Sequence, residues 1–103
     1  MTFRSLLIAG ALLASTTIAN AADHVVTISG FAFQPANLTI AAGDRVTFVN
    51  KDGAPHTATH KNGAFDTGRL ARSAQNTVTF ASSGSFGYFC KIHPKMKGQI
   101  KVN

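Results

Sequence analysis

The string Tyr88–Phe89–Cys90–Lys91–Ile92–His93–Pro94–Lys95–Met96 places a thiol, an imidazole and a thioether at positions i, i+3 and i+6. Pro94 disfavours a continuing helix and favours a tight loop. A second imidazole, His56, follows Asp52–Gly53 and Pro55 and lies 34 residues before Cys90, so the fold must bring the two together. Thiolate and thioether are soft donors, which disfavours magnesium and calcium. Structural zinc takes three or four strong ligands and gains little from a thioether. Two histidines and a cysteine in a trigonal set, with a weak axial methionine, suit one copper ion in a type 1 site that tolerates both Cu(II) and Cu(I).

Each donor has a plainer use when taken alone. A free cysteine is among the most buried residue types and packs as a small apolar group. Met96 by itself is core packing, and His93 beside a proline is a surface histidine. Their conjunction on one seven-residue loop favours the metal reading. His60, four residues after His56, is on the same strand face but too far along to share the ion, and reads as exposed. His24 lies beside the mature N-terminus, where together with the free α-amine it could bind adventitious copper.

The chain has 103 residues and a single cysteine, so an internal disulfide is excluded. Residues 1–21 read as a secretory signal: Arg4, an apolar run from Leu6 to Ala14, then Ala19–Asn20–Ala21, with the cut after Ala21 or one residue later. The apolar stretch is about half of what a membrane crossing needs. Residues 22–103 then form one domain, exported to the periplasm and not inserted in the membrane. It keeps nine Lys/Arg against four acids, a net charge of +5. A domain this small buries on the order of 60% of its extended-chain surface, so help from a metal is expected.

Apolar residues recur with period two: Val26 and Ile28, Leu38 and Ile40, Val46 and Phe48, Val78 and Phe80, Phe86 and Tyr88, Ile100 and Val102. Threonines at 27, 39, 47, 77 and 79 interleave them, as suits half-buried strands. Turn signals fall between, among them Ser29–Gly30, Ala42–Gly43–Asp44 and Lys51–Asp52–Gly53. Strands are predicted near 24–29, 37–41, 45–50, 56–60, 76–80, 86–90 and 98–102. Residues 64–76 are the least regular segment, with a turn of helix expected at Leu70–Ala71–Arg72. The fold class is all-β, a small sandwich or barrel of about seven to eight strands. The basic charge does not indicate nucleic-acid binding, since no recognition helix or basic tail is evident and the aromatics are better used in the core.

Phe33–Gln34–Pro35, the run from Ala42 to Asn50, Ala54–Pro55–His56–Thr57, Gly63 to Gly68 and the ligand loop together resemble the cupredoxins, in the plastocyanin–amicyanin group of blue copper proteins. The two-residue gap between His93 and Met96 is similar to that of amicyanin. The resemblance covers essentially all of residues 22–103 and implies a Greek-key β-sandwich. By position it implies that His56, Cys90 and His93 are equatorial ligands and Met96 the axial one. It also implies that Asn50 ties the ligand loops together and helps place a backbone donor near the sulfur. Thr57 departs from the family asparagine there, and a hydroxyl has fewer hydrogen-bonding groups than an amide.

The function so implied is one-electron transfer by a carrier, not an enzyme. His93 would be the electron port, surrounded by Pro94, Pro55 and Ala54. Lys95 stands where amicyanin has an aromatic, making the patch smaller and more positive. Lys91, Lys95, Lys97 and Lys101, with Lys51, cluster near the copper end of the sequence and imply a redox protein partner with an acidic docking surface. A c-type cytochrome, a periplasmic dehydrogenase or a reductase fits that description, met by a monomeric carrier. The rival reading is a periplasmic copper storage or delivery protein with the same ligands.

Overall fold

The computed structural model describes residues 21–103. The expected secretory signal falls, but for Ala21, outside the described residues. Among the described residues eight strands follow one another: β1 Asp23–Ser29, β2 Ala32–Gln34, β3 Asn37–Ile40, β4 Arg45–Asn50, β5 Thr59–His60, β6 Gln75–Thr79, β7 Gly84–Phe89 and β8 Lys97–Val102. They form two four-stranded sheets, in the orders β2-β1-β4-β6 and β3-β8-β7-β5. The β1–β4 and β3–β8 pairs are parallel and the remaining pairs antiparallel.

The period-two pattern becomes the core between the sheets. In β4, Val46, Phe48 and Asn50 point inward while Arg45, Thr47 and Val49 stay partly exposed. Val26, Ile28, Val46, Phe48 and Ile100 are fully buried, each apolar side chain worth about 1.5–3 kcal/mol. Tyr88 also lies in the core, edge-on to Phe33 and Phe48. Its ring occupies the space above Gly98, where a Cβ would come within 2.3 Å of it. Burial pushes the Tyr88 phenol above its ordinary pKa.

Three departures from the sequence reading have local causes. The strand expected at 56–60 shrinks to Thr59–His60, because nearby amides bind side chains instead of a neighbouring strand. Thr57 N points to the Cys90 sulfur, and Ala58 N donates to Thr67 Oγ1. No helical turn forms at 70–72. Leu70 exchanges two backbone hydrogen bonds with His56, at 3.1 and 2.7 Å, and this draws the irregular segment into the sandwich. The unexpected strand β2 follows a two-residue hairpin turn, Gly30–Phe31, with φ of +62° and +57°. That is the backbone of a type I′ turn, whose twist matches the flanking strands.

Candidate metal centre

The ligand loop begins where β7 ends. Cys90 N donates to Met96 O at 3.1 Å and Met96 N to His93 O at 2.9 Å, closing 90–96 into a compact turn. His56 approaches from the segment between β4 and β5, held in place by its bridge to Leu70. His56 and Cys90 are fully buried, while His93 is half-buried. Among the described residues, these three form the cluster whose donor atoms lie within 4.8 Å of one another. His60 and His24 lie outside it.

The donor atoms form a near-regular triangle. His56 Nδ1 and His93 Nδ1 are 3.1 Å apart, and Cys90 Sγ lies 3.7 and 3.8 Å from them. A point at its centre is about 2 Å from every corner, the length of a transition-metal bond to imidazole or thiolate. Two nitrogens and one sulfur at that spacing fit a single copper ion. Met96 is buried at the end of the same loop.

The surrounding hydrogen bonds divide the work between Asn50 and Thr57. The Asn50 side chain donates to Ala54 O and Leu70 O, both at 2.9 Å, and accepts from Asp52 N at 2.9 Å. It thus shapes the segment that carries His56. The bond across to the cysteine loop is made by Thr57, whose Oγ1 accepts from Lys91 N at 2.9 Å. Thr57 N lies 3.4 Å from the Cys90 sulfur. The hydroxyl at the departing position therefore does the bridging.

Two residues not singled out by sequence reasoning belong here. Asp52 Oδ2 lies 2.9 Å from His56 Nε2, on the far side of the ring from the donor triangle. Hydrogen bonds hold the Asp52 carboxyl below its ordinary pKa, the Phe31 amide first, with His56 and Gly30 adding to it against the opposing effect of burial. The Phe31 ring stands edge-on to His56 at 5.1 Å and to His93 at 4.9 Å. The available signals were an acid four residues before a candidate ligand and an aromatic directly after a turn-forming Ser29–Gly30.

The other charged and histidine residues disperse. His24 Nε2 contacts Asp44 Oδ2 at 2.9 Å. His60 is half-buried instead of exposed: its ring stacks on Phe65 and its Nδ1 accepts from Ala64 N. Lys91 is engaged in an ion pair with Asp66 at 2.8 Å. Lys101 pairs with Ser85, toward the far end of β7 and β8 from Cys90, so it lies away from the centre despite its nearness in sequence. Lys95 and Lys97 are exposed beside the ligand loop, as are Pro94 and Ile92, while Pro55 and Ala54 are half-buried.

Residues 20–103 match the family of copper binding proteins described as plastocyanin/azurin. Amicyanin-alpha of Methylorubrum extorquens is 37% identical over 101 residues, covering 93% of this chain and 84% of that protein. Amicyanin of Paracoccus versutus is 34% identical over 83 residues, covering 76% of this chain and 63% of that protein. This chain thus spans a little under two thirds of the length of the Paracoccus relative. The solved Cu(I) form of an amicyanin mutant superposes with a TM-score of 0.74 at 27% identity, covering 84% of this chain and 86% of that one. The residues matched by the family include every strand of both sheets, and the sandwich is a cupredoxin fold of the Greek-key type. Relatedness to the amicyanins indicates an extracytoplasmic protein.

Proposed function

We propose, because the chain belongs to the plastocyanin/azurin family of copper-binding proteins, that it is a soluble periplasmic one-electron carrier. The observation that carries this reading is the triangle of two imidazole nitrogens and one buried thiol, one of whose imidazoles reaches the surface. Copper bound there supplies a Cu(II)/Cu(I) couple. The chain's part is to hold His56, Cys90 and His93 in one arrangement for both oxidation states, so that little reorganisation accompanies transfer. Met96, buried at the end of the same loop, would supply a fourth, weak donor, while Asn50 shapes the His56 segment and Thr57 ties it to the cysteine loop.

The half-buried His93 is the electron port. Pro94, Pro55 and Ala54 provide its apolar surround, and Lys95 and Lys97 its free positive charge. Lys91 contributes less, being paired with Asp66. A redox partner with an acidic face, such as a c-type cytochrome, a dehydrogenase or a reductase, would be drawn to this end and held briefly by a monomer. Export by the signal in residues 1–21 supports the periplasmic assignment.

Stopped-flow reduction of the copper-loaded chain by an acidic c-type cytochrome tests the proposal. The expected result is an intense visible band that bleaches rapidly, at a rate that falls as salt screens the lysines. A rate that stays flat or rises with salt would overturn the steering. Slow reduction with ready copper exchange would assign the protein to copper storage or delivery instead.

A further inference from the structure

Phe31 is 52% exposed and sits at φ +57°, a backbone region that bulky residues rarely adopt. Glycine at either turn position would satisfy the type I′ geometry without strain. Such strained residues persist where their surroundings over-determine them, and they cluster at ligand clamps. Here the surroundings are explicit. Asp52 Oδ1 accepts from Gly30 N at 2.8 Å and Oδ2 from Phe31 N at 2.9 Å. The same Oδ2 lies 2.9 Å from His56 Nε2. One carboxylate therefore joins the strained turn to a fully buried ligand, and the aromatic it positions contacts both imidazoles.

We propose that Asp52 and Phe31 form a latch on the metal centre: Asp52 fixes the β1–β2 turn to His56, and Phe31 is thereby seated over the two imidazoles. The inference rests on the copper reading above and adds two positioning residues to it. An acceptor at Nε2 keeps the proton there and leaves Nδ1 free to face the metal. The ring excludes water from the imidazole edges and restrains their rotation when the ion changes charge. Its apolar exposed side extends the surface around His93.

Three variants test the latch. Phe31→Gly removes the ring and relieves the backbone; Phe31→Leu keeps apolar bulk without a ring current; Asp52→Asn keeps the shape but loses an anionic acceptor. In the apo chain, the carbon-bound imidazole proton resonances of His56 and His93 should shift in both Phe31 variants while the fold is retained. Copper should pass to a chelator several-fold faster from Phe31→Gly, with Phe31→Leu restoring most of the retention. Asp52→Asn should weaken copper affinity roughly tenfold or more, as for other partners of metal-bound histidines. Unmoved imidazole resonances, or release from Phe31→Gly at the wild-type rate, would overturn the latch. A wild-type chain that takes up no copper would sink the carrier reading, and the apo resonances would then decide the latch independently.

Discussion

Strand β4 is flanked by two aspartates that make the same set of contacts. Before it, Asp44 accepts from the amides of Ala22 and Ala41 and lies 2.9 Å from a nitrogen of His24. Beyond it, Asp52 accepts from the amides of Gly30 and Phe31 and lies 2.9 Å from a nitrogen of His56. Both bind a chain segment to a histidine. The pairs differ in what surrounds the ring. The His24 side chain is 26% exposed and that of His56 is 0% exposed, and only the second ring turns its other nitrogen toward a thiol and another imidazole. A histidine–aspartate pair is therefore not itself a sign of chemistry. Convergence of further donors on the opposite nitrogen makes it one.

Breaking the metal-facing side should have the largest effect. Cys90→Ser should abolish the intense charge-transfer band of the copper-loaded protein, since that band needs a copper–thiolate bond, whereas His24→Ala should leave it intact. Visible absorption of the two variants decides this. A band surviving in Cys90→Ser would remove the thiolate from the centre, and one lost in His24→Ala would end the distinction between the two pairs.

A smaller effect is expected from Met96→Leu. On the proposed reading, in which Met96 supplies a weak axial donor, this variant should keep copper and its colour but raise the reduction potential, because losing any electron donation costs the more highly charged Cu(II) more than Cu(I). An unchanged potential by voltammetry would show that Met96 is core packing alone.

The smallest effect belongs to the other end of β4. The Ala22 amide, followed by the His24 side chain and the Ala41 amide, holds the Asp44 carboxyl at about 2, against an ordinary value of 3.8. Because the folded value is the lower one, the anion favours the fold above about pH 4, and that contribution is lost as pH falls toward about 2. Asp44→Asn should lower stability at neutral pH and make the acid loss less steep across that window, leaving the visible band at neutral pH unchanged. Denaturant titrations of the apo chain at several pH values check this; parallel acid profiles in variant and parent would refute it.

Much of this was legible because it is local. Cys90, His93 and Met96 are close neighbours in the chain, and Pro94 marks their segment as a loop. Alternation in β4 and β8 predicts the buried faces, since successive strand residues point to opposite sides. The 56–60 segment misled because a threonine-rich alternation looks the same whether its amides meet a strand or side chains such as Thr67 Oγ1 and Cys90 Sγ. Lys91 and Lys101 misled for a related reason. Nearness along the chain hides an ion pair to Asp66 in one case and four residues of extended strand in the other.

The sequence by itself determined the donor types, the compact loop that carries Cys90, His93 and Met96, and the period that makes a two-sheet sandwich. These follow from side-chain chemistry and short-range backbone geometry. Only the tertiary structure decided that His56 meets that loop across 34 residues, that Thr57 bridges to Lys91, and that Asp52 carries the Gly30–Phe31 turn onto the imidazoles. Such contacts depend on which strands become neighbours and in what register, and strand order is settled by burial of the whole core.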